Sequence, residues 1–183
     1  MRKKAVLLSI RPKWVELIAT REKTIEVRKT RPRIETPFNC FIYCTKPKYE
    51  CEDFLTFNAG TEKAFSFFGG GMVVGEFACD QIFPISYEEN GPFSEERGGG
   101  YSETYSSIGY KDGLTDDEFD EYLNEKPGYG WHISKLKIYK KPLPLSDFDS
   151  WIGSTVIEGG YPVPIRSAPR PPQSWCYIRG KAE

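Results

Sequence analysis

The stretch from Leu7 to Arg28 reads LLSIRPKWVELIATREKTIEVR, and it predicts a strand, a short helix and a second strand in close succession. The apolar run that starts at Ala5 is long enough for one strand. Pro12 is tolerated at the first position of a helix because the amide hydrogen that it lacks would be unpaired there anyway. Apolar residues then follow at helical spacing for about two turns. From Thr24 onward the sequence alternates with a period of two, which is typical of a strand.

Three charged residues gather at the end of this stretch. Alternation places Glu26 and Arg28 on the same face of the second strand, and Lys23 lies at the preceding turn, from which its side chain reaches either face. Two interpretations stay open. The cluster is an ion pair on a solvated strand face, or it lines a pocket, where charged groups concentrate in functional proteins.

The order of Leu8-Ser9-Ile10-x-Pro12, a short helix and Lys23-x-x-Glu26-x-Arg28 resembles the opening of the ASCH family (activating signal cointegrator homology). That family belongs to the PUA-like superfamily of small β-barrels linked to RNA. The resemblance implies an α+β fold, namely a PUA-like β-barrel of about six strands with short helices packed at the barrel opening. It also implies a cleft lined by the Lys-Glu-Arg cluster. The commoner family pattern has a glycine where this chain has Arg21.

Later segments extend the resemblance. The segment VVGE that ends at Glu76 is similar to the central ASCH strand, and it lies in a predicted strand from Met72 to Ile85 whose internal glycine suggests a bulge or a barrel corner. A further strand is predicted from Tyr129 to Tyr139. The motifs GWHIS and PPQSWCY look like those of uncharacterised ASCH-type proteins of bacteria and their phages.

Length and composition predict one domain over residues 1–183, with an acidic, glycine-rich insertion at about 87–130. Within the insertion, Thr115-x-x-Glu118 fits a capping box that opens an amphipathic helix. This segment is hypothesised to lie across the cleft as a lid. Hydrophobic residues make up 39% of the chain, which is enough for a packed core, and no apolar run is long enough to cross a membrane.

Charge is distributed unevenly along the chain. Residues 1–50 contain 13 Lys and Arg against 5 Asp and Glu, a net charge of +8, whereas residues 87–130 contain 3 against 12, a net charge of −9. The basic N-terminal part indicates a local surface for nucleic-acid phosphates, although the two segments could instead pair with each other. A pI near 6.0 argues against strong non-specific binding to duplex backbones.

Cysteine usage and the N-terminus predict a cytoplasmic protein with reduced thiols. The five cysteines are odd in number, and the apolar run near the N-terminus is too short for a signal peptide. Cys40, Cys44 and Cys51 do not have a standard zinc spacing, and His132 is the single histidine. We therefore expect buried free cysteines, no metal and no cofactor.

Candidate nucleic-acid-binding residues lie mainly in the basic N-terminal part. They comprise the Lys-Glu-Arg cluster and the cations around it, namely Arg11, Lys23, Glu26, Arg28, Arg31 and Arg33. Secondary candidates are Glu76, Glu103 and His132, although a lone histidine is more often structural and Glu76 could simply occupy a solvated strand face. The expected partner is RNA or a modified nucleoside. The sequence contains no recognisable motif for a protein partner.

Two classes of function stay open, together with a purely protein-binding accessory role. The first is a binding module for RNA or a modified nucleoside, in which Lys23 and Arg28 hold phosphate or carbonyl oxygens and Glu26 accepts from a base amine. The second is a metal-free hydrolase acting on a modified nucleoside or on RNA. In that case Lys23, activated by burial beside Arg28, and Glu26, which activates water, are the catalytic residues.

The resemblance offers one specific hydrolase chemistry. Some ASCH proteins remove the acetyl group from N4-acetylcytidine with a lysine, a threonine and a glutamate. The lysine matches Lys23, but Glu26 occupies the threonine position, and the nearest counterpart of the glutamate is Glu103. Thr24 lies two residues before Glu26, roughly 6–7 Å along the strand, too far to replace the missing nucleophile without rearrangement.

Overall fold

The computed structural model describes residues 3–46, 54–58, 64–68, 70–88, 91–93, 112–124, 126–151, 155–158, 161–164 and 169–180. Two helices and fourteen strands are formed by these residues. In chain order they are β1 (Lys4–Ile10), α1 (Pro12–Ala19), β2 (Ile25–Arg28), β3 (Phe38–Cys44), β4 (Phe54–Asn58), β5 (Ala64–Phe68), β6 (Met72–Cys79), β7 (Ile82–Glu88), β8 (Gly91–Phe93), α2 (Asp116–Leu123), β9 (Gly128–His132), β10 (Ser134–Pro144), β11 (Asp149–Ser150), β12 (Thr155–Glu158), β13 (Tyr161–Pro164) and β14 (Trp175–Arg179).

The strands form two larger sheets and two hairpins. The six-stranded sheet has the order β10-β6-β3-β1-β14-β11, and the four-stranded sheet has the order β2-β9-β7-β8. β1 pairs in parallel with β3 and antiparallel with β14. The α+β class is confirmed. Among the described residues both sheets are open, so the predicted closure of about six strands into a barrel is not confirmed.

Two predicted long strands are each divided between the sheets. The stretch from Met72 to Ile85 is interrupted after Cys79, so that β6 belongs to the six-stranded sheet and β7 to the four-stranded sheet. Residues 129–139 likewise divide at Ile133 into β9 and β10. The predictions of a single strand were wrong here. Hydrophobic alternation shows which side chains face the core, but the same alternation persists where the chain bends from one sheet into the other. A backbone hydrogen bond of 3.0 Å from His132 to the carbonyl of Gln81 connects the two bends.

The predicted irregularity at Gly75 is confirmed. The pairing of β3 with β6 shifts by one residue beside this glycine, since Ile42 lies opposite Gly75 and Tyr43 opposite Val73. A Cβ at Gly75 would lie 2.7 Å from the carbonyl oxygen of Lys137 on β10. The close approach of the two backbones therefore requires glycine in this strand.

Three apolar clusters hold the elements together. The largest lies between the six-stranded sheet and α1, where Val15 and Ile18 pack against β1 and β3 and against Trp131 of β9. A second cluster covers the other face of the same sheet. The third joins α2 to β2 through fully buried Phe119 and Leu123. Burial of each such side chain contributes about 1.5–3 kcal/mol, so α2 is firmly attached beside β2.

The end of α1 directs the chain into β2. Arg21 adopts φ = +66°, the left-handed conformation that favours glycine, at the position where the family pattern has that residue. The amide of Lys23 then donates to the carbonyl of Leu17 at 2.9 Å. This turn fixes the start of β2 beneath the helix.

The helix α2 begins with the predicted capping box. The Thr115 hydroxyl accepts from the amide of Glu118 at 3.2 Å, and the Glu118 carboxylate accepts from the amide of Thr115 at 3.1 Å. Asn124, with φ = +55°, ends the helix. No described helix has both the length and the apolar character that a membrane span requires.

The cysteines for which side chains are described are free thiols, as expected. Cys40, Cys44 and Cys79 are buried and Cys176 is partly exposed, whereas Cys51 lies outside the described residues. Burial raises the pKa of the Cys40 thiol well above its usual range and that of Cys79 to about 12. These thiols are therefore held in the protonated, unreactive form.

Candidate functional site

The Lys-Glu-Arg cluster is almost completely removed from water. Lys23, Glu26 and Arg28 are only 3%, 6% and 6% exposed. Arg28 Nη2 lies 2.8 Å from Glu26 Oε1, and Lys23 Nζ lies 3.2 Å from Glu26 Oε2, a contact whose geometry falls short of a hydrogen bond. The interpretation as an ion pair on a solvated strand face was therefore wrong. Two cations share one anion, and the cluster carries a net positive charge.

Arg28 donates hydrogen bonds to two neighbouring segments of the six-stranded sheet. Its Nη2 donates to the carbonyl of Ser9 at 2.8 Å, and its Nη1 donates to the hydroxyl of Ser174 at 3.3 Å. Ser9 is in β1 and Ser174 immediately precedes β14, and these two segments are themselves joined by a 3.0 Å backbone hydrogen bond. The planar guanidinium is thus fixed in orientation, as expected where an arginine reads a planar ligand group.

Lys23 is held by the turn that precedes α2. Its ammonium donates to the backbone carbonyl of Asp112, and the Asp112 side chain in turn accepts from the amide of Leu114 at 3.0 Å. Gly113, between them, has φ = +68°, and a Cβ there would lie 3.0 Å from Leu17 Cδ1. The tight turn over residues 112–114 therefore connects α2 to the floor of the site.

The cluster forms the floor of a cleft with a volume of about 560 Å³, which is within the usual range for small-ligand sites. The first helix and the end of β1 form one side, and α2 forms another. The lining residues are Ser9, Ile10, Arg11, Trp14, Lys23, Glu26, Val27, Arg28, Lys29, Thr45, Leu114, Glu118, Glu121, Tyr122 and Gln173.

Two aromatic side chains face the cleft. Trp14 comes from α1 and Tyr122 from α2, and the Nζ of Lys23 lies 5.7 Å from the Trp14 ring centroid. Burial raises the pKa of the Tyr122 hydroxyl, with Arg28 opposing and Glu26 adding to the effect. Tyr122 therefore stays protonated and retains its hydroxyl as a donor.

Several predicted residues take other positions. Arg11 is exposed and lines the cleft, whereas Arg31 and Arg33 are exposed in the loop that follows β2 and are not among its lining residues. Glu76 is on β6 and forms an ion pair of 3.5 Å with Lys137, away from the cleft lining. Glu103 lies outside the described residues.

His132 likewise lies outside the cleft lining. Its Nδ1 is 2.7 Å from Asp80 Oδ1, at the bend between the two sheets. Partial burial raises the pKa of Asp80, but hydrogen bonds from His132, its own backbone and Ser134 outweigh this and lower it overall. The contact between His132 and Asp80 is therefore explained by its position at the bend between the two sheets.

Sequence reasoning missed several cleft residues. Trp14 was assigned only to the apolar stripe of α1, and Ser9 was noted only as part of the opening motif. Tyr122 lines the cleft from far downstream. Asp112 is not a lining residue, but it contacts Lys23, 89 positions away, through its backbone carbonyl. No residue type marks a carbonyl contact in a sequence. Among residues with a described structure, no group of three or more His, Cys, Asp or Glu could hold a metal ion.

Comparison with known proteins gives structural matches alone. No protein-family model matches the sequence, and no curated protein matches it either. A crystal structure of ASCH from Zymomonas mobilis matches with a TM-score of 0.56 and 15% identity, covering 96% of this chain and 87% of that one. A tyrosine-to-phenylalanine mutant of the same protein matches with a TM-score of 0.57 and 15% identity, covering 97% and 91%. The chain therefore has the ASCH fold, as the opening motif predicted.

Proposed function

We propose that the cleft binds a base of RNA or a modified nucleoside, with Trp14 and Tyr122 as apolar walls and the Lys-Glu-Arg cluster as a polar floor. The observation that carries the proposal is the burial of three charged side chains at the floor of an open cleft. Removing such charges from water costs several kcal/mol per ion, and apolar replacements of similar volume often stabilise a fold equally well. A cluster retained in this position is best explained by ligand recognition.

The chemistry of the floor and walls suits a nucleobase. Lys23 and Arg28 offer donors to carbonyl oxygens, and Glu26 offers an acceptor to an exocyclic amine. Glu26 Oε2 is buried and accepts no hydrogen bond from the described residues, which leaves an acceptor for a ligand amine that enters the floor. Tyr and Trp rings are the usual stacking partners of unpaired bases. The ASCH fold, in a superfamily of RNA-linked proteins, is consistent with this assignment.

The test compares binding of the four ribonucleosides, their monophosphates and N4-acetylcytidine by isothermal titration calorimetry in the wild-type protein, in two cleft variants and in one control variant. Glu26→Gln keeps the shape of the side chain and removes the charged acceptor, and we expect at least a ten-fold loss of affinity, about 1.4 kcal/mol. Arg11→Gln changes an exposed cleft cation without disturbing the buried cluster, and it should weaken nucleotides more than nucleosides. Arg170→Gln, exposed and outside the cleft lining, is the matched control.

Circular dichroism of each variant separates loss of the site from loss of the fold. Absence of binding to every nucleoside and to RNA by the folded wild-type protein would contradict the proposal. Unchanged affinity in folded Glu26→Gln would contradict the part of the proposal that assigns ligand binding to the Lys-Glu-Arg cluster.

A metal-free hydrolase is the second candidate, with Lys23 and Glu26 as its catalytic residues. The observation that favours it is the same buried oxygen, Glu26 Oε2, which accepts no hydrogen bond from the described residues and would take a proton from an attacking water that enters the floor. Thr24 does not line the cleft, so it does not supply the missing nucleophile. In this case Glu26→Gln would abolish release of acetate or cleavage of RNA while affinity is retained, and chromatography of the recovered ligand would show the difference.

A further inference from the structure

We propose, building on the cleft function above, that the bound base belongs to a single-stranded polynucleotide whose neighbouring nucleotides lie on a basic and aromatic track outside the cleft. The track is formed by side chains of the loop after β2, of β14 and of the adjoining strand ends. They are Lys29, Arg31, Arg33, Trp175, Lys4 and Trp151.

The track begins at the cleft itself. Lys29 lines the cleft and directly follows Arg28, while Ser174, which accepts from Arg28, directly precedes Trp175. The indole nitrogen of Trp175 donates to the Thr30 hydroxyl at 3.0 Å, which joins the loop to β14. A ligand that leaves the floor near Arg28 therefore meets the loop and Trp175 first.

The cations of the loop have a defined position. The amide of Arg33 donates to the Tyr177 hydroxyl at 2.6 Å, a second point of attachment between loop and β14. Arg31 lies 5.7 Å from the ring centroid of Tyr129, and Lys29 lies 5.4 Å from that of Tyr122. The guanidinium groups are exposed on an anchored loop, so less side-chain and backbone freedom is lost when they bind phosphates.

The charges of the surfaces around the cleft determine the direction in which a bound polynucleotide leaves it. Helix α2, with the sequence DDEFDEYL, carries five acids and no base. The loop of residues 29–36, by contrast, carries three cations against a single acid, Glu35. Phosphates are repelled by the first surface and attracted by the second, so the chain is directed over the loop.

Aromatic rings continue beyond the loop. Trp175 packs edge-on against Tyr177 with ring centroids 5.3 Å apart, and Lys4 Nζ lies 3.6 Å from the Tyr177 centroid and 5.3 Å from that of Trp151. Trp151 is 36% exposed, the one large hydrophobic side chain exposed in the described part of the chain. Stacking rings interleaved with cations are the usual platform for single strands, whose bases are free to stack, whereas those of a duplex are not.

The test measures fluorescence anisotropy of a labelled eight-nucleotide RNA pool of mixed sequence across a range of salt concentrations, beside calorimetry with the ribonucleosides. We expect the wild-type protein to bind the pool at least ten-fold more tightly than any nucleoside. A plot of log affinity against log salt concentration falls with a negative slope. In Arg31→Gln/Arg33→Gln this slope should become shallower by about 1.4, since each phosphate contact on a single strand contributes about 0.7. Trp151→Ala should weaken the pool roughly five-fold or more and leave nucleoside affinity unchanged.

The matched control is Lys140→Gln/Lys141→Gln, which removes the same charge from exposed positions of β10, at the opposite edge of the six-stranded sheet from β11. Binding of the pool no tighter than nucleosides would overturn the track while the cleft function stands. Equal losses in the control and in Arg31→Gln/Arg33→Gln would also overturn it. If neither pool nor nucleosides bind, the cleft function itself fails. A DNA pool measured in parallel distinguishes which polynucleotide supplies the strand.

Discussion

Removing the single anion of the buried cluster should destabilise the fold far more than removing all three charges. In Glu26→Gln, Lys23 and Arg28 stay buried, at 3% and 6% exposure, with no carboxylate between them. Breaking a buried ion pair from one side typically lowers the free energy of unfolding by about 3–5 kcal/mol. Because one side of the cluster opens to the cleft, we expect the lower end, about 3 kcal/mol.

The comparison variant is Lys23→Met/Glu26→Leu/Arg28→Met, which replaces each side chain by an apolar one of similar length. It removes the desolvation of three ions and also the hydrogen bonds that Lys23 donates to Asp112 and Arg28 donates to Ser9. Each lost hydrogen bond costs about 1–3 kcal/mol, which the absence of buried charge largely offsets. We therefore expect the triple variant to be within about 2 kcal/mol of the wild-type protein and more stable than Glu26→Gln.

The assay is urea unfolding at pH 7, followed by fluorescence of the four tryptophans and by circular dichroism. Nucleoside binding of the triple variant is measured beside it and should be lost. A triple variant less stable than Glu26→Gln would refute the reasoning, because the cluster would then be a net source of stability. A loss below about 1 kcal/mol in Glu26→Gln would show that water reaches the cluster.

Three further predictions concern the surroundings of the site. Arg21 has φ = +66°, so Arg21→Gly should raise the free energy of unfolding by about 1 kcal/mol and Arg21→Val should lower it; the reverse order in urea unfolding would contradict this. Gly113→Ala combines a φ of +68° with a contact of 3.0 Å to Leu17, and we expect a loss of about 1–3 kcal/mol in the same assay, whereas a neutral effect would argue against the tight turn. Although partial burial raises the pKa of Asp80, the hydrogen bond from His132 helps to lower it overall in the folded state. This contribution to stability is present above the unfolded-state pKa of about 3.9 and is lost as the pH falls through the lower folded value. Asp80→Asn should therefore make the melting temperature less sensitive to acid below roughly pH 5, and parallel curves for both proteins would disprove the assignment.

Elements with local chemical signals were predictable from the sequence. Pro12 at the start of α1 and the capping box of Thr115 and Glu118 each satisfy backbone groups within their own turn, so neighbouring residues suffice to identify them. The clustering of Lys23, Glu26 and Arg28 was also predictable, since a turn and a four-residue strand bring them together.

Features that depend on contacts between residues far apart in the sequence could not be predicted in the same way. The division of the long strands at Asp80 and Ile133 depends on the way two sheets bend around a shared core, and apolar alternation continues through both bends. The burial of the cluster depends on Asp112 and on Tyr122 in α2, whose packing against β2 is set by apolar contacts far apart in sequence. Burial therefore distinguishes a pocket from a solvated face, and sequence spacing alone left both open.

The contact between Lys23 and the carbonyl of Asp112 joins residues 89 positions apart. Helix α1 needs only nearby residues to form, whereas β2 pairs with β9 and α2 packs beside β2 only after long loops have closed, which is the slower event in folding. During synthesis, the N-terminal elements emerge with their charges still hydrated. Dehydration of Lys23, Glu26 and Arg28 therefore waits until contacts from distant parts of the chain have formed, and it falls late in assembly.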